Sequence, residues 1–256
     1  MTSTTTNVRR LLASLALVLL GAIVAGCFNP FDPRISTQRA ASAPAPSPNT
    51  PGNTVRLFAW CWQNRDPSRY SEVFTDDYRF AFGEGDSAGN AFRDRPYLRE
   101  DEMESAQHIF TGGADQPPAS DIQITIDKTL RPNPDPRPGR DPRWHQTVLT
   151  HVDLKVTVTG SDGTPSVTPV TGNALFYLTR GDSAAIPPEL IVKGFRPDST
   201  RWWIDRWEDQ TIGTNAPNSA QRVRDPRPAH AEAGEPIIGP SITFGQLKAI
   251  YRQLNR

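Results

Sequence analysis

Apolar residues recur at helical spacing through the first part of the chain. The spacing predicts three helices: one that begins after Asn53 or Thr54 and ends at Asn64, a second over residues 66–74, and a third over residues 98–110. Asp66 and Pro67 suit the N-cap and first position of the second helix. The third helix lacks a Ser or Thr cap, because Leu98 precedes its first turn. The apolar stripes are Val55, Phe58 and Trp62; Tyr70 and Phe74; and Met103, Ala106 and Phe110.

Further along, the pattern changes to alternation of apolar and polar positions, which is typical of strands. Helices followed by strands indicate an α+β domain, in which helices cover one face of an antiparallel sheet, over residues 54–210. The proline-rich hairpin 131–143 is long and is expected to protrude. The predicted strands are residues 78–82, 122–126, 148–158, 174–178, a short one at 191–195, and an aromatic one at 201–207.

Proline, alanine and glycine mark the segments outside this domain. Residues 27–53 are predicted to be a tether and residues 211–240 a linker, because they hold few large apolar side chains. Residues 241–256 end the chain in an amphipathic helix that Thr243 and Gln246 start with a capping box. Lys248 lies in its C-terminal half, where a positive charge suits the helix dipole.

The N-terminus has the features of a secretion signal. Arg9 and Arg10 precede an uncharged apolar run, residues 11–24, which is shorter than the ~20 residues that span a bilayer. The sequence Val-Ala-Gly that ends at Gly26, followed by Cys27, resembles the lipobox of bacterial lipoproteins. The resemblance implies that residues 1–26 are removed and that the Cys27 thiol carries a diacylglycerol. An uncleaved anchor and an ordinary secretory signal are the alternatives.

Charge and composition limit the class of protein. The chain has 28 basic and 28 acidic residues, and removal of residues 1–26 takes away two arginines and no acid, which leaves a net charge of −2. This balance, with 36% apolar residues and two cysteines, excludes a polytopic membrane protein, a disulfide scaffold and a basic nucleic-acid binder. We therefore expect membrane attachment through lipid alone. Phe28 is not the aspartate typical of inner-membrane retention, which favours the periplasmic face of an outer membrane.

Cys61 is the second cysteine and has no partner once Cys27 is lipidated. A free cysteine between Trp60 and Trp62 is expected to be a small buried side chain, since free cysteines are among the most buried residue types. A reactive thiol is the alternative.

Two segments resemble the nuclear transport factor two-like, or SnoaL-like, superfamily. They are residues 64–78, which contain Phe74-Thr75-Asp76-Asp77-Tyr78, and the closing aromatic strand, Arg201–Glu208. The resemblance implies a cone-shaped domain in which a curved sheet wraps against helices and leaves a pocket at the wide end. The residues expected to line it are Trp62, Tyr78, Phe80, Trp203 and Trp207. This cone serves isomerases, cyclases, dehydratases and proteins with no activity, so that fold alone does not give function.

An enzyme of this kind needs a general base that faces the pocket, with a tyrosine or protonated acid beside it. Asp205 is a weak candidate base, because it is expected to lie between Trp203 and Trp207 on one strand face. The other candidates, each explained more simply by capping, turns or strand surface, are Asp76, Asp77, His108, His145 and His151, with Tyr70 or Tyr78 as donors. The sequence has no metal-ligand spacing, phosphate loop or nucleophile elbow, and we expect no cofactor.

These patterns favour a non-catalytic, lipid-anchored protein that binds a small apolar ligand or a protein partner. A SnoaL-like isomerase or hydrolase that acts on a small apolar carbonyl compound is the first alternative. A structural protein that docks through its C-terminal helix is the second, and a homodimer is left open.

Overall fold

The computed structural model describes residues 43–92, 94–113, 116–181, 183–213 and 236–252. The predicted signal peptide and Cys27 therefore lie outside the described residues, as do most of the tether and of the linker. All the elements below belong to the unit that begins at Pro44. Among the described residues, no helix combines the length and apolar character needed to span a bilayer.

Two helices open the fold. Helix α1, Pro51–Asn64, begins about one turn earlier than the sequence indicates, because the Thr50 side chain caps it by accepting from the Asn53 amide. Helix α2, Pro67–Ser71, begins as predicted after Asp66, whose side chain accepts from the Arg69 amide. It ends three residues before the predicted end, because the chain turns and enters the first strand at Phe74.

The third helix and the last helix begin with N-caps of different kinds. Helix α3, Arg99–Thr111, starts without a capping hydroxyl, and instead the Asp101 carboxylate accepts from the Leu98 amide at 2.9 Å. A capping box has two hydrogen bonds, and this is the one that the N-cap backbone amide donates to the side chain three residues later. It needs no side-chain oxygen at the N-cap. In the last helix, Phe244–Tyr251, the predicted capping box between Thr243 and Gln246 is present.

In the described part of the chain, eight strands form one curved, mostly antiparallel sheet, which confirms the predicted α+β fold with N-terminal helices. The central strand order is β2-β1-β7-β6-β5-β3, β4 pairs with β5, and β8 pairs with β6. The parallel pairs are β1 with β7 and β8 with β6. The strands are β1 Phe74–Ala81, β2 Tyr97–Leu98, β3 Asp121–Ile126, β4 Pro132–Pro134, β5 His145–Thr159, β6 Pro165–Arg180, β7 Trp202–Thr211 and β8 Ile237–Ile238.

One prediction about the connections is wrong. Residues 191–195 do not form a strand: Pro188–Val192 is a short helix, α4, with proline in its first turn, so the last helix is α5. Leu190 of α4 packs with Ile186 against Trp203. Within the hairpin 131–143, β4 pairs with β5 and Asp135 is only 5% exposed, whereas most of the other residues are exposed.

The face of the sheet that packs against α1 and α3 is called the inner face. It carries the main hydrophobic core, to which alternate strand residues such as Phe176 and Leu178 belong. The opposite, outer face carries Tyr177 and a small second cluster around Trp203.

Candidate functional site

Four of the five residues expected to line a pocket meet in the interior behind the inner face. The rings of Trp207 and Phe80 lie with their centroids 5.1 Å apart, and Phe58 of α1 lies 5.1 Å from Trp207 and 6.2 Å from Trp62. Tyr78 joins the same core, and all four are at most 4% exposed. These four side chains therefore belong to the packed aromatic interior of the domain.

Trp203 does not join them, because a β-bulge changes the alternation of β7. Ile204 pairs with Leu178 and Arg206 pairs with Tyr177, so Asp205 is an extra residue in the ladder. The bulge leaves Trp203 and Trp207 in different hydrophobic clusters. The prediction that Asp205 lies between these two rings on one face is therefore wrong.

The C-terminal helix α5 packs against the aromatic rings that were expected to line a pocket. Its Phe244 ring lies 4.7 Å from Trp207 and 5.7 Å from Trp62, centroid to centroid. Phe244, Leu247 and Tyr251 are all buried. The aromatic rings that would line a pocket thus pack against the chain's own last helix.

A buried carboxylate lies within this aromatic interior. Glu102 of α3 is fully buried, and its Oε1 accepts from the Tyr70 hydroxyl at 2.7 Å and its Oε2 from the Tyr78 hydroxyl at 3.1 Å. Lys248 of α5 donates from Nζ to the same Oε2. Burial, and then the neighbouring Glu102 charge, raise the pKa of both tyrosines well above the usual value.

The Lys248 ammonium is enclosed by rings as well as by this charge. Its Nζ lies 4.0 Å from the ring centroid of Trp207, 4.4 Å from that of Phe80 and 5.6 Å from that of Tyr97. The side chain is fully buried, and burial lowers its pKa against the opposing effect of Glu102. The geometry is that of an aromatic cage around an ammonium group.

Two further carboxylates hold the start of α5. The Thr243 hydroxyl donates to Asp86, and the Gly245 amide donates to Asp209 Oδ2 at 2.8 Å. Both acids are buried, and burial raises the pKa of Asp209 against the hydrogen bonds it accepts from Thr211 and Gly245. Negative charge at a helix N-terminus is favourable because the helix dipole is positive there.

The other end of α5 is held by α3. Arg252 Nη2 lies 2.6 Å from Asp101 Oδ1, and His108 Nδ1 lies 2.8 Å from the Tyr251 carbonyl oxygen. His108, one of the candidate catalytic residues, thus contacts the backbone of the last helix.

Asp205 lies on the outer face, away from the aromatic interior. The Arg137 guanidinium, which comes from the loop after β4, lies 2.8 Å from Asp205 and 2.6 Å from Asp135, and it stacks over Tyr177 at 4.4 Å. Arg140 approaches Asp205 to 3.6 Å. The Asp205 carboxylate therefore links the loop to the outer face of the sheet. Tyr70 and Tyr78 lie on the inner side, in the main core.

The remaining candidates lie on the surface or near it. His145 borders an outer cleft of about 250 Å³, and burial, followed by Arg140, lowers its pKa. His151 is exposed and has Nδ1 3.3 Å from Asn173 Oδ1. Asp76 and Asp77 are exposed beside a cleft of about 490 Å³ that Arg79 and Arg99 also line. Across the part of the chain that the structure describes, no three potential ligands cluster as a metal site would require.

Cys61 is free and fully buried on α1, as expected. Burial raises the pKa of its thiol, so the reactive thiolate is disfavoured.

Comparisons with solved structures find likeness of overall architecture. A conserved protein from Planctomyces limnophilus is 14% identical over 63% of this chain and 92% of its own, with a TM-score of 0.39. A protein assigned as a scytalone dehydratase, from Novosphingobium aromaticivorans, is 8% identical over 73% and 89%, with a TM-score of 0.42. A hexachlorocyclohexane dehydrochlorinase is 8% identical over 62% and 79%, with a TM-score of 0.38.

These neighbours are nuclear transport factor two-like, or SnoaL-like, proteins. They include enzymes and proteins of unknown function. At such identities and TM-scores, none of them assigns an activity to this chain. No family model matches the sequence, and no curated protein matches it.

Sequence reasoning missed Glu102 and the role of Lys248. The signal for Glu102 was present, because Glu102, Ser105, Ala106 and Ile109 follow the helical spacing of one face. The apolar pattern instead predicts a stripe that includes Met103, one residue further on, and that side chain is only half-buried.

Proposed function

We propose that this chain is a lipid-anchored protein of the cell envelope whose nuclear transport factor two-like domain binds a ligand or a partner without catalysis. The observation that carries the proposal is that the chain's own last helix, α5, occupies the aromatic interior of the domain. The aromatic residues that would line a catalytic pocket are buried, and Glu102 among them is already paired with Lys248. A general base needs access to a substrate proton, and this carboxylate is committed to three donors from its own chain.

The alternative is an isomerase or hydrolase acting on a small carbonyl compound, and Asp205 is the base that the sequence favours for it. Two arginines face that carboxylate on the outer side of the sheet, which is the arrangement of a structural ion pair. Asp205 is also separated from Tyr70 and Tyr78 by the sheet itself. The non-catalytic function therefore has more support.

The turnover experiment uses the full chain in detergent with activated ketones and lactones as substrates. We expect no turnover above the rate of the buffer, and the same result for Asp205→Asn. Steady turnover that Asp205→Asn abolishes would establish the enzymatic alternative instead. Glu102→Gln is measured in the same assay, because it tests whether the interior carboxylate takes part in any turnover.

The lipid anchor rests on the lipobox resemblance at Cys27 and on the near-neutral charge of the remaining chain. Attachment would place the domain in the envelope, on the periplasmic face of an outer membrane. Mass spectrometry of the chain extracted from its native membranes would give a mature protein that starts at Cys27 and carries acyl chains. Cys27→Ser should release the protein into the soluble fraction, and Cys61→Ala, the matched control, should leave it in the membrane.

A further inference from the structure

The Lys248 side chain lies in a cage that has the features of a binding site for an ammonium group. Three rings surround Nζ at 4.0 to 5.6 Å, and the Glu102 carboxylate supplies the negative charge. Aromatic faces attract cations through the ring quadrupole, most strongly where water is excluded. Both Lys248 and Glu102 are fully buried.

The cage requires a cation. The Glu102 carboxylate accepts hydrogen bonds from the hydroxyls of Tyr70 and Tyr78 and pairs with the Lys248 ammonium. If the ammonium left and nothing replaced it, the charge would remain buried without a counter-ion, which is strongly unfavourable. A ligand that enters this cage is therefore expected to be positively charged.

The present occupant belongs to helix α5, which contributes no strand to the sheet. Helix α5 has eight residues, too few for a stable helix on its own. Its first two amides bond to the side chains of Thr211 and Asp209, not to strand backbone. Its basic residues Lys248 and Arg252 pair with acids of α3. A competing cation would thus have to replace these polar contacts and the packing of Phe244 and Leu247, while β1 and β7 keep their pairing.

The length of the lysine side chain sets the shape of the ligand. All of it is enclosed, including its four methylene groups, and Phe80 and Trp207 lie around its tip. A branched or bulky cation would have to displace these packed rings.

We propose that this cage is an ammonium-binding site whose resident occupant, Lys248, is displaced by a primary ammonium on an unbranched alkyl chain. The proposal names a ligand class for the binding function above and rests on that function being one of binding. The two fail separately: turnover of carbonyl compounds would overturn the non-catalytic function, whereas absence of amine binding would overturn only the ligand class.

The first experiment empties the cage with Lys248→Ala in the full chain and titrates n-butylammonium against it. We expect a saturable rise in Tm and a change in tryptophan fluorescence, since Trp207 borders the vacated space. Uncharged n-butanol should give neither at the same concentrations. In Lys248→Ala with Glu102→Gln, the affinity for butylammonium should fall at least tenfold. Equal effects of amine and alcohol, or an unchanged affinity in the double variant, would overturn the proposal.

The second experiment uses the unmutated chain and stays informative if Lys248→Ala does not fold. Hydrogen exchange of the α5 amides, residues 244–251, is followed during a butylammonium titration. Displacement predicts faster exchange in α5 and unchanged exchange in β5. If exchange in α5 does not change over the full titration, Lys248 is a permanent part of the core and the proposal is wrong.

Discussion

Lys248 and Glu102 are 146 positions apart in the chain and form an ion pair with no solvent exposure on either side. The pair joins the last helix to α3 inside the aromatic interior. A helix that the sequence separates from the domain by a linker is thereby part of the domain core. Its removal would uncover both the rings and the charge.

We expect Lys248→Met to lower the free energy of unfolding by about 3–5 kcal/mol, because it leaves the Glu102 charge buried without a counter-ion. The double variant Lys248→Met with Glu102→Gln should recover most of this loss, since an uncharged pair removes the unpaired charge. Urea unfolding of the four members of the cycle gives the coupling free energy.

The matched control for this cycle is Lys193→Met, because Lys193 is exposed just after α4. It should change stability by no more than about 0.5 kcal/mol. If Lys248→Met lowers the free energy of unfolding by no more than this control does, the buried pair does not stabilise the docking of α5.

The sequence was sufficient for most of the elements and for the caps of two helices, because those depend on neighbouring residues. Asp66 and Thr243 each cap the helix that the pattern assigns to them. It was insufficient for Lys248, whose position in the last turns of a helix suggests a solvent-exposed charge that favours the dipole. Its burial depends on Glu102, and a pair separated by more than half of the chain leaves no local pattern.

The position of Asp205 shows a second limit. Strict alternation along residues 201–207 puts Trp203, Asp205 and Trp207 on one face, whereas the bulge at Asp205 moves Trp207 to the other. A bulge adds a residue to one strand only, and its place is determined by pairing with Tyr177 and Leu178 of β6. The arrangement of the outer ion pair with Arg137 follows from that pairing and not from the local sequence.

Gly245→Ala is expected to destabilise the protein even though alanine favours helix by up to about 1 kcal/mol. A Cβ at this position would lie 2.6 Å from Phe82 Cδ1 and would also meet the Asp86 carboxylate. The added methyl must push α5 away from the interior, at an expected cost of about 1–3 kcal/mol. Thermal unfolding compares it with Ile250→Ala, on the exposed side of α5. A gain in Tm for Gly245→Ala would show that α5 is held loosely.

Stability should decrease as the pH falls below about 6.5 through His145. Burial, and then Arg140, lower the pKa of this ring below its ordinary value of 6.5. The unfolded chain therefore binds more protons than the folded one in that range, which makes stability increase with pH there. His145→Gln should reduce the slope of unfolding free energy against pH. His151→Gln, at an exposed ring on the same strand, is the control, and an equal loss of slope in both would contradict the assignment.

A chain that ends at residue 240 should unfold at a lower temperature than the intact chain and show red-shifted tryptophan emission. Both effects follow from the same contacts, since Phe244 covers Trp62 and Trp207 and Lys248 neutralises Glu102. A chain that ends at residue 252 keeps those contacts and serves as the control. If the shorter chain matched this control in Tm and emission while its oligomeric mass changed, α5 would instead serve to join one copy of the protein to another.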